Sequence, residues 1–468
     1  MGSLLKIYRR SYTKKYRKHA IIAIITLIID IVIALIIPYF SKQIIDRAIP
    51  DGNLSQVYKI GIFVIVIAVF ALFVTFAAQY ISTGIAYDLR DELFAKIQSF
   101  SQANIDKITA GRLLTIVTND TTQVQQVLVM SFRIMLRAPI TLIGAIIMAY
   151  ITSADLFTVV LVCVPILSIG VVLLFKKATP RFRAMQSRID SLNTKLGETI
   201  SGAREVKSFV TEIEEQNKFE VVNENFNQSQ ISAHKVMAFL NPMVMIISNV
   251  TIAAILYFAA IKSHASDGSM AGTVMIYISY VQQIIMSLMM VSAVSIFLSR
   301  AGVSAERINI VLETEVDIEN SKHAKVFSFA GNIRYKDVNF AYLDENGEMD
   351  GVTLNNINID IKAGEMIGVI GSTGSGKTSL VQLIPRLYDV TSGAVLIDGV
   401  DVRNIDLTCL RQQIAYVTQA AMIFEGSIAS NIRQGKDKAT LDEMKIAAKA
   451  AAAEEFINNE SDKYESPV

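Results

Sequence analysis

Residues 371–379 read GSTGSGKTS and combine small residues, one lysine and several hydroxyl groups in a pattern suited to holding phosphate. The stretch fits G-x-x-x-x-G-K-[ST], in which small residues let consecutive backbone N–H groups turn toward phosphate oxygens. Lys377 adds a mobile cation for the outer phosphates, and the Thr378 hydroxyl is a hard oxygen ligand of the type that Mg²⁺ takes. The predicted phosphate-binding residues are Gly371, Ser372, Thr373, Gly374, Ser375, Gly376, Lys377, Thr378 and Ser379.

The segments on either side of this loop supply the elements that would position it. Met366–Ile370 (MIGVI) predicts a short buried strand that leads into the loop, and Thr378–Ile384 predicts a helix that begins after it. The N-terminus of that helix would add the positive end of its dipole. Strand, loop and helix in this order favour a nucleotide site over a glycine-rich turn that binds nothing.

Two residues outside the loop have side chains that could complete a nucleotide site. Tyr342 lies 29 residues before Gly371, just after a predicted strand, and Gln419 closes the predicted strand IAYVTQ, whose apolar part is Ile414–Val417. Tyr342 is either an aromatic surface that stacks on an adenine ring or a core aromatic residue. Gln419 either reaches Mg²⁺ and orders the attacking water or is an ordinary surface residue. The residues alone leave both pairs of alternatives open.

The composition indicates a membrane protein with more than one domain. At 468 residues the chain has room for two or three domains, and 52% of its residues are hydrophobic, more than in an ordinary soluble enzyme. The net charge of +1 gives no global field that would favour a nucleic-acid partner. The two cysteines, Cys163 and Cys409, lack CxxC spacing, so the sequence predicts neither a disulfide nor a zinc or iron–sulfur site.

Six apolar runs predict six transmembrane helices, each near the roughly 20 residues that cross a bilayer. Residues 1–19 precede them with seven Lys/Arg and no acidic residue, so the positive-inside rule places both termini in the cytoplasm. This basic segment is either a short helix lying on membrane lipids or a plain basic flank. The predicted spans are 20–40, 60–80, 138–154, 156–175, 236–261 and 270–298.

The two longest connections, 82–135 and 176–235, show helical spacing with charged faces. We therefore expect the membrane helices to continue well past the lipid, with turn-like breaks near 103–113 and 210–218. Asp30, in the first span, is either a cavity or proton-coupling group or a packed carboxylate bonded to a neighbouring helix. Other amide side chains in the spans either line a translocation path or bond between helices. The methionines there either form an adaptable surface for apolar substrates or fill gaps and face lipid. These amide and methionine residues are Gln79, Asn241, Asn249, Gln282, Gln283, Met275, Met286, Met289 and Met290.

The sequence changes character after the last span. Residues 300–328 are polar, of mixed charge and helical at first, and predict a linker. From about residue 329 short alternating segments predict strands, and Thr440-Leu-Asp-Glu443 is a capping box that opens a helix to about Ile457. The predicted fold is thus an all-α membrane domain of six helices over 20–299, followed by an α/β P-loop domain over 329–468. The predicted strands of the P-loop domain include Ile333–Asn339, Asn356–Ile361 and Val395–Ile397.

These features together resemble the ATP-binding-cassette (ABC) exporters, which fuse a permease and an ATPase in one half-transporter chain. The resemblance covers nearly the whole chain and is carried by several motifs in combination. In the second part they are FAY, GSTGSGKT, LIDGVDVRNIDLTCLR, YVTQ and GSIASNIRQGK. In the membrane part they are NIDKITAGRLLTIVTNDTTQVQQ and ETISGAREVKSFVTE, which are similar to the two cytoplasmic loops of that family.

The resemblance implies roles for individual residues and for the ligands ATP and Mg²⁺. Gly371–Thr378 corresponds to the Walker A motif, in which Lys377 serves catalysis and Thr378 binds Mg²⁺. Tyr342 corresponds to the adenine-stacking residue, and Gln419 to the Q-loop glutamine that acts in catalysis and at Mg²⁺. The segments near Ile105–Arg112 and Val210–Lys218 would be the coupling helices.

The sequence also departs from the family pattern. Within its 468 residues we find no LSGGQ-like signature, no Walker B strand ending in Asp-Glu and no switch histidine. We therefore expect residues 329–468 to be the N-terminal part of a nucleotide-binding domain, and this chain alone to bind ATP without hydrolysing it usefully.

The implied function is outward transport of an unknown substrate across a bacterial cytoplasmic membrane, driven by ATP in a pair of half-transporters. The partner is either a second copy or a different chain, and neither sequence nor resemblance identifies the substrate. An ATP-gated channel or a regulatory membrane protein on the same scaffold is the alternative.

Overall fold

The computed structural model describes residues 2–8, 10–49, 51–266, 270–343, 349 and 351–468. The chain divides into a first unit of Met1–Phe100 with Asn104–Val316, and a second unit of Ser101–Ala103 with Asp317–Val468. The division lies inside the predicted linker, 300–328. The first part of that linker is helical, because the last helix of the first unit continues to Glu313.

Long α-helices form the first unit, as the apolar runs predict. Three π-helical turns, at Ile44–Ala48, Ile116–Asp120 and Ser131–Met135, interrupt or extend them. In chain order the helices are α1 Gly2–Tyr8, α2 Ser11–Gln43, α3 Leu54–Gln98, α4 Gln102–Ile108, α5 Ala110–Thr115, α6 Thr121–Met130, α7 Arg137–Thr152, α8 Ala154–Ser201, α9 Ala203–Ser208, α10 Glu212–Ala238, α11 Leu240–Ser266 and α12 Ala271–Glu313.

Five helical stretches in the described part of the chain are long and apolar enough to cross a membrane. The sequence predicts six spans, and the difference concerns the second one, 60–80. It lies on α3, where the apolar stretch among the described side chains, Leu54–Val66, is shorter than a full span. The membrane character of this unit is confirmed, and the sixth span stays a prediction. The five stretches are Lys15–Asp46, Ala110–Thr152, Ala154–Ser201, Glu212–Lys262 and Ala271–Met290.

The helices continue beyond their apolar portions, as predicted, but one predicted break is displaced. Near 103–113 the chain does turn, at Thr109, whose φ of +69° separates α4 from α5. The prediction of a break throughout 210–218 is wrong. There the chain reverses at Val210 (φ +55°), and the charged residues that follow already belong to α10. The acidic residues Glu212, Glu214 and Glu215 stabilise the first turn of that helix, so they promote a helix rather than a turn.

Small side chains and buried tyrosines hold the membrane helices together. Ala145 and Ala149 on α7 are fully buried, which allows close approach of neighbouring helices. Tyr277 on α12 donates a hydrogen bond to the carbonyl of Ala149, and Tyr280 donates one to the carbonyl of Leu35 over 2.9 Å. Each tyrosine thus contributes apolar area while its hydroxyl is paired, as a buried polar group requires.

A buried charge cluster ties α12 to the segment before α6. Asp120 is 2% exposed and accepts a hydrogen bond of 2.7 Å from the Ser304 hydroxyl. Its second oxygen accepts one of 2.7 Å from Nε of Arg307, which also contacts the first oxygen. The carboxylate is therefore neutralised and hydrogen-bonded on both oxygens, which is the condition for keeping a charge in the interior.

A four-stranded sheet and several short helices form the second unit. The sheet order is β2-β1-β3-β4 and all neighbours are antiparallel, with Ile333 opposite both Ile361 and Ile397. The predicted capping box of Thr440 and Glu443 is present. Its helix is shorter than predicted, because Ala452 has φ +55° and ends it. The elements are β1 Ile333–Phe340, β2 Leu354–Ile361, α13 Lys377–Gln382, β3 Ser392–Ile397, β4 Val400–Asp401, α14 Leu407–Gln412, α15 Ile428–Ile432, α16 Leu441–Ala450 and α17 Glu454–Asn459.

Two predicted strands are absent from the described structure. Residues 366–370 and 414–417 have no regular secondary structure, and several of their apolar side chains are exposed, with Met366 and Ile370 at 98% and Val417 at 94% exposure. An apolar run indicates which residues prefer burial, but a strand also needs a neighbouring strand to pair its backbone groups. Since the four strands described do not pair with either segment, the predictions of a buried strand at Met366–Ile370 and of a short strand at Ile414–Val417 are wrong for this structure.

A carboxylate closes the loop that precedes β1. Asp398 (φ +48°) and Gly399 (φ +79°) form the tight turn between β3 and β4 that the Asp-Gly pair predicts. The Asp398 carboxylate accepts hydrogen bonds from the N–H groups of Ala330, Gly331 and Asn332 at 2.6, 3.3 and 3.0 Å. These bonds, led by the one from Asn332, hold the pKa of Asp398 below its usual value.

We expect Asp398→Asn to loosen this loop at neutral pH, because an amide oxygen is a weaker acceptor while asparagine tolerates the same φ. The folded pKa lies below the unfolded one, so the stabilisation is present above about pH 4 and is lost as the pH falls further. Hydrogen exchange of the Ala330–Asn332 amides in the full chain should differ from wild type at pH 7 and converge at low pH. A difference that is equal at both pH values, or that also appears in Asp437→Asn, would rule out the charge as the cause.

Candidate functional site

The glycine-rich loop adopts the backbone conformation that its sequence requires. Gly374 and Gly376 have φ of +83° and +84°, values that side chains other than glycine rarely adopt. A β-carbon on Gly376 would lie 2.7 Å from Cδ2 of Leu354 and 3.1 Å from the carbonyl oxygen of Thr353. The second glycine therefore allows both the turn into α13 and its close packing on the start of β2.

Lys377 lies over the loop that it follows. Its ammonium group donates hydrogen bonds to the carbonyls of Gly371 and Ser372, at 2.9 and 2.7 Å. Residues 371–375 and Thr378 are exposed, so their backbone and hydroxyl groups can be reached from solvent. A cation, exposed N–H groups and a glycine-permitted turn form a donor set that fits the phosphates of a nucleotide.

Tyr342 lies beside the helix that begins at Lys377. Its hydroxyl is 2.9 Å from Oγ of Ser379 and donates to the Gln382 side chain over 3.2 Å. Its ring packs edge-on against Phe340 and Tyr388, with ring centroids 4.8 and 5.3 Å away. The structure thus brings Tyr342 into contact with Ser379 of the glycine-rich loop segment, although the two are far apart in the sequence. Ser379 is buried and paired with Tyr342, so in this structure its hydroxyl faces the core rather than the open side of the loop.

Gln419 is not joined to the loop in this structure. It lies in an exposed bend, and its side chain has no hydrogen-bond partner among the residues described. No group of three or more His, Cys, Asp or Glu side chains in the described part of the chain could hold a metal ion by itself. Thr378 and Gln419 therefore remain the predicted Mg²⁺ ligands, of which only Thr378 lies at the loop.

Comparison with known families decides what kind of protein contains this loop. Residues 20–288 match the ABC transporter transmembrane region, and residues 354–465 match the ABC transporter family of ATP-binding regions. The chain belongs to the ABC transporter family. The first match covers the long helices of the first unit, and the second covers the loop, α13 and the sheet edge next to it.

Individual relatives share nearly the full length of this ABC transporter. The uncharacterized ABC transporter ATP-binding protein YfiB of Bacillus subtilis is 35% identical over 96% of this chain and 78% of its own length. An uncharacterized ABC transporter ATP-binding protein of Mycobacterium tuberculosis is 31% identical over 96% and 78%. The ATP-dependent lipid A-core flippase of Syntrophus aciditrophicus is 27% identical over 99% and 77%.

These matches confirm the exporter class that the motifs predict. The chain joins a transmembrane region and an ATP-binding region, the arrangement of an ATP-hydrolysing translocase. One region of each kind makes a half-transporter, an architecture that generally works as a dimer. It is a multi-pass membrane protein with bacterial relatives.

The first unit of this ABC transporter contains a cavity of about 830 Å³. Four of the amide and methionine residues named in the predicted spans line it: Gln79, Gln283, Met286 and Met290. Asp30 is buried and forms an ion pair with the lining residue Arg137; Oδ2 and Nη1 are 3.1 Å apart, in a geometry that is not that of a hydrogen bond. The structure thus supports the interpretation of Asp30 as a carboxylate bonded to a neighbouring helix.

Sequence reasoning missed a buried arginine in the ATP-binding region. Arg386 is 5% exposed and forms two bonds to Asp389, of 2.7 and 2.9 Å. It also donates to the carbonyls of Glu319 and Arg403 at 3.3 and 3.5 Å. Arg386 therefore joins the first residues of the second unit to the segment that follows α13. An Arg-x-x-Asp spacing is common in proteins, and nothing in the sequence marks this arginine as buried.

Proposed function

We propose that this half-transporter binds Mg-ATP at the loop Gly371–Thr378 and couples that binding to the export of an amphipathic substrate. One observation carries the proposal: Lys377 is the first residue of α13, and Tyr342 is hydrogen-bonded to the same helix. The lysine lies on the loop carbonyls, and the tyrosine bonds to Ser379, two residues farther along the same helix.

The residues of the chain have separate tasks in this proposal. The backbone N–H groups of 371–376 and the Lys377 ammonium bind and orient phosphates, and the Tyr342 ring offers a surface for the base. Thr378 would hold Mg²⁺, with Gln419 as a second ligand and the residue that orients water. Bound Mg-ATP supplies an anhydride whose hydrolysis resets the transporter.

Pairing of two half-transporters would convert nucleotide binding into motion. Shifting a two-state equilibrium from 1:99 to 99:1 requires about 5.5 kcal/mol of differential binding, which nucleotides bound between two subunits can supply. We propose α4 and α9, the short helices at the far ends of the long helical extensions, as the elements that transmit this change. This assignment places the second coupling helix at Ala203–Ser208, ahead of the segment that the sequence indicates.

The cavity in the first unit supports an amphipathic substrate. Its lining combines Arg133 and the amides Gln125 and Gln126 with the apolar side chains Met286 and Met290. The Thr141 hydroxyl and the Gln283 carbonyl oxygen, which belong to lining residues, are buried and have no hydrogen-bond partner in the described part of the chain. Unpaired polar groups in a wall that combines polar and apolar side chains favour a ligand that brings both kinds of surface.

Transport by proteoliposomes tests this function. Residues 1–468 contain no Walker B or signature motif, so the protein is expressed from its whole coding sequence and reconstituted. ATP is added outside, and the transfer of a fluorescent amphiphile between leaflets is measured. We expect transfer that depends on ATP and is absent in Lys377→Ala. If ATP binds but the amphiphile does not move, export is wrong, and ATP-dependent ion conductance in the same vesicles would favour the gated-channel alternative.

Replacing Tyr342 separates base stacking from phosphate binding. Stacking contributes on the order of 1–3 kcal/mol, so Tyr342→Ala should weaken ATP binding by about 5- to 150-fold. Tyr342→Phe keeps the ring and should stay within about threefold of wild type. Inorganic tripolyphosphate, which has no base, should bind equally to all three proteins, as measured by calorimetry. Equal losses for ATP and tripolyphosphate would show instead that Tyr342 acts only by supporting α13.

A further inference from the structure

Three basic side chains converge on an apolar groove where α8, α10 and α11 meet. Lys177 and Arg181 lie one turn apart on α8, and Lys235 lies near the end of α10. The groove has a volume of about 870 Å³, and no acidic residue lines it. Its apolar wall includes Leu174, Ile231, Phe239, Pro242, Met243 and Ile246.

The positive charge of the groove is not compensated in the described structure. None of the three cations pairs with a carboxylate among the residues described; Arg181 donates only to the backbone carbonyl of Lys177, over 2.8 Å. Two like charges one turn apart on a helix repel each other. A carboxylate beside the two cations would offset this repulsion. Since the described residues supply none, we expect the groove to take up an anion from outside the chain.

The cations lie where the membrane helices become polar. The apolar run of α8 ends at residue 175, directly before Lys176 and Lys177. The apolar run that continues through α11 begins at residue 236, near the end of α10 and directly after Lys235. The apolar wall continues from there into the membrane part, where Phe239 and Ile246 are 67% and 63% exposed. The groove therefore has a charged end at the membrane boundary and an apolar end directed into the lipid.

We propose that this groove binds an anionic phospholipid from the adjacent leaflet. The phosphate would contact Lys177, Arg181 and Lys235, and an acyl chain would lie along Phe239 and Ile246. The positive charge of the groove favours this ligand, because basic pockets between membrane helices bind anionic head groups. The apolar wall by itself would suit a protein helix as well as a lipid chain. The site differs from the nucleotide loop and from the cavity lined by Arg133, so the proposal does not depend on transport.

Lipid binding to the full chain in detergent tests the proposal by native mass spectrometry, without nucleotide. Phosphatidylglycerol should bind at least tenfold more tightly than phosphatidylcholine, and inorganic phosphate should not compete at equal concentration. The triple variant Lys177→Gln/Arg181→Gln/Lys235→Gln should lose that preference. The matched control, Lys176→Gln/Arg183→Gln/Arg188→Gln, removes the same charge from exposed residues of α8 outside the groove and should keep it.

Three results would overturn the proposal. Equal losses in the two triple variants would mean that the lipid responds only to overall charge. Wild-type preference in the groove variant would place the lipid elsewhere. Disulfide cross-linking of Phe239→Cys between two copies in vesicles, at equal rates with and without phosphatidylglycerol, would assign the groove to a second copy of the chain. Protection of that cysteine by phosphatidylglycerol supports the lipid.

Discussion

Lys377→Ala is expected to weaken ATP binding by about 10- to 150-fold, because charge-assisted hydrogen bonds to phosphate contribute roughly 1.5–3 kcal/mol. The structure explains why this side chain cannot be replaced by a neighbour. Its ammonium group lies 2.9 and 2.7 Å from the carbonyls of Gly371 and Ser372, at the open face of the loop. The ion pairs described around the loop do not involve it, so the charge is available to an incoming phosphate.

Calorimetry with Mg-ATP on the full chain measures this effect directly. Lys445→Ala serves as the matched control, since Lys445 is an exposed lysine of α16 outside the loop and should leave the affinity unchanged. Thermal unfolding of both variants without nucleotide should match wild type, because Lys377 bonds only to its own loop. Unchanged ATP affinity in Lys377→Ala would contradict the nucleotide site, and with it the proposed coupling.

The sequence predicts well where local chemistry decides the structure. The loop glycines are an example: a positive φ at Gly374 and Gly376 is a property of the residues themselves. The turn at Asp398-Gly399 and the capping box at Thr440 likewise depend on a few adjacent side chains, and both are present. The long apolar helices follow from residue type and run length, which require no knowledge of tertiary contacts.

The sequence predicts poorly where a distant partner decides the structure. Met366–Ile370 has the apolar composition of a buried strand, yet in this structure its side chains are exposed because the described strands do not pair with it. The break at Val210 falls before Glu212 because acidic residues favour the first turn of a helix, an effect that outweighs their turn-like appearance. Asp30 is similar: its pairing with Arg137 joins two helices that lie far apart in the chain.

The same limit applies to the charge cluster at Asp120, whose partners Ser304 and Arg307 lie 184 and 187 residues away. We expect Asp120→Ala to lower the free energy of unfolding of the transporter by about 3 kcal/mol. Removing one member of a buried ion pair typically costs about 3–5 kcal/mol, and the lower end applies because the Arg307 side chain is 37% exposed and can be hydrated. Arg307→Ala should cost more than Ser304→Ala, since it leaves the buried carboxylate without a counter-charge.

An exposed pair of the same type supplies the control. Asp155 and Lys262 form an ion pair whose side chains are 71% and 43% exposed, so Asp155→Ala should change the free energy of unfolding by less than about 1 kcal/mol. Denaturant titration in mixed micelles, followed by loss of helical signal, measures both variants under identical conditions.

The double variant Asp120→Ala/Arg307→Ala should be less destabilised than the sum of the single variants, because neither charge is then left unpaired. Strict additivity would show that the two side chains stabilise the protein independently. The contact between Asp120 and Arg307 would then make no cooperative contribution to the packing of α12 against the segment before α6.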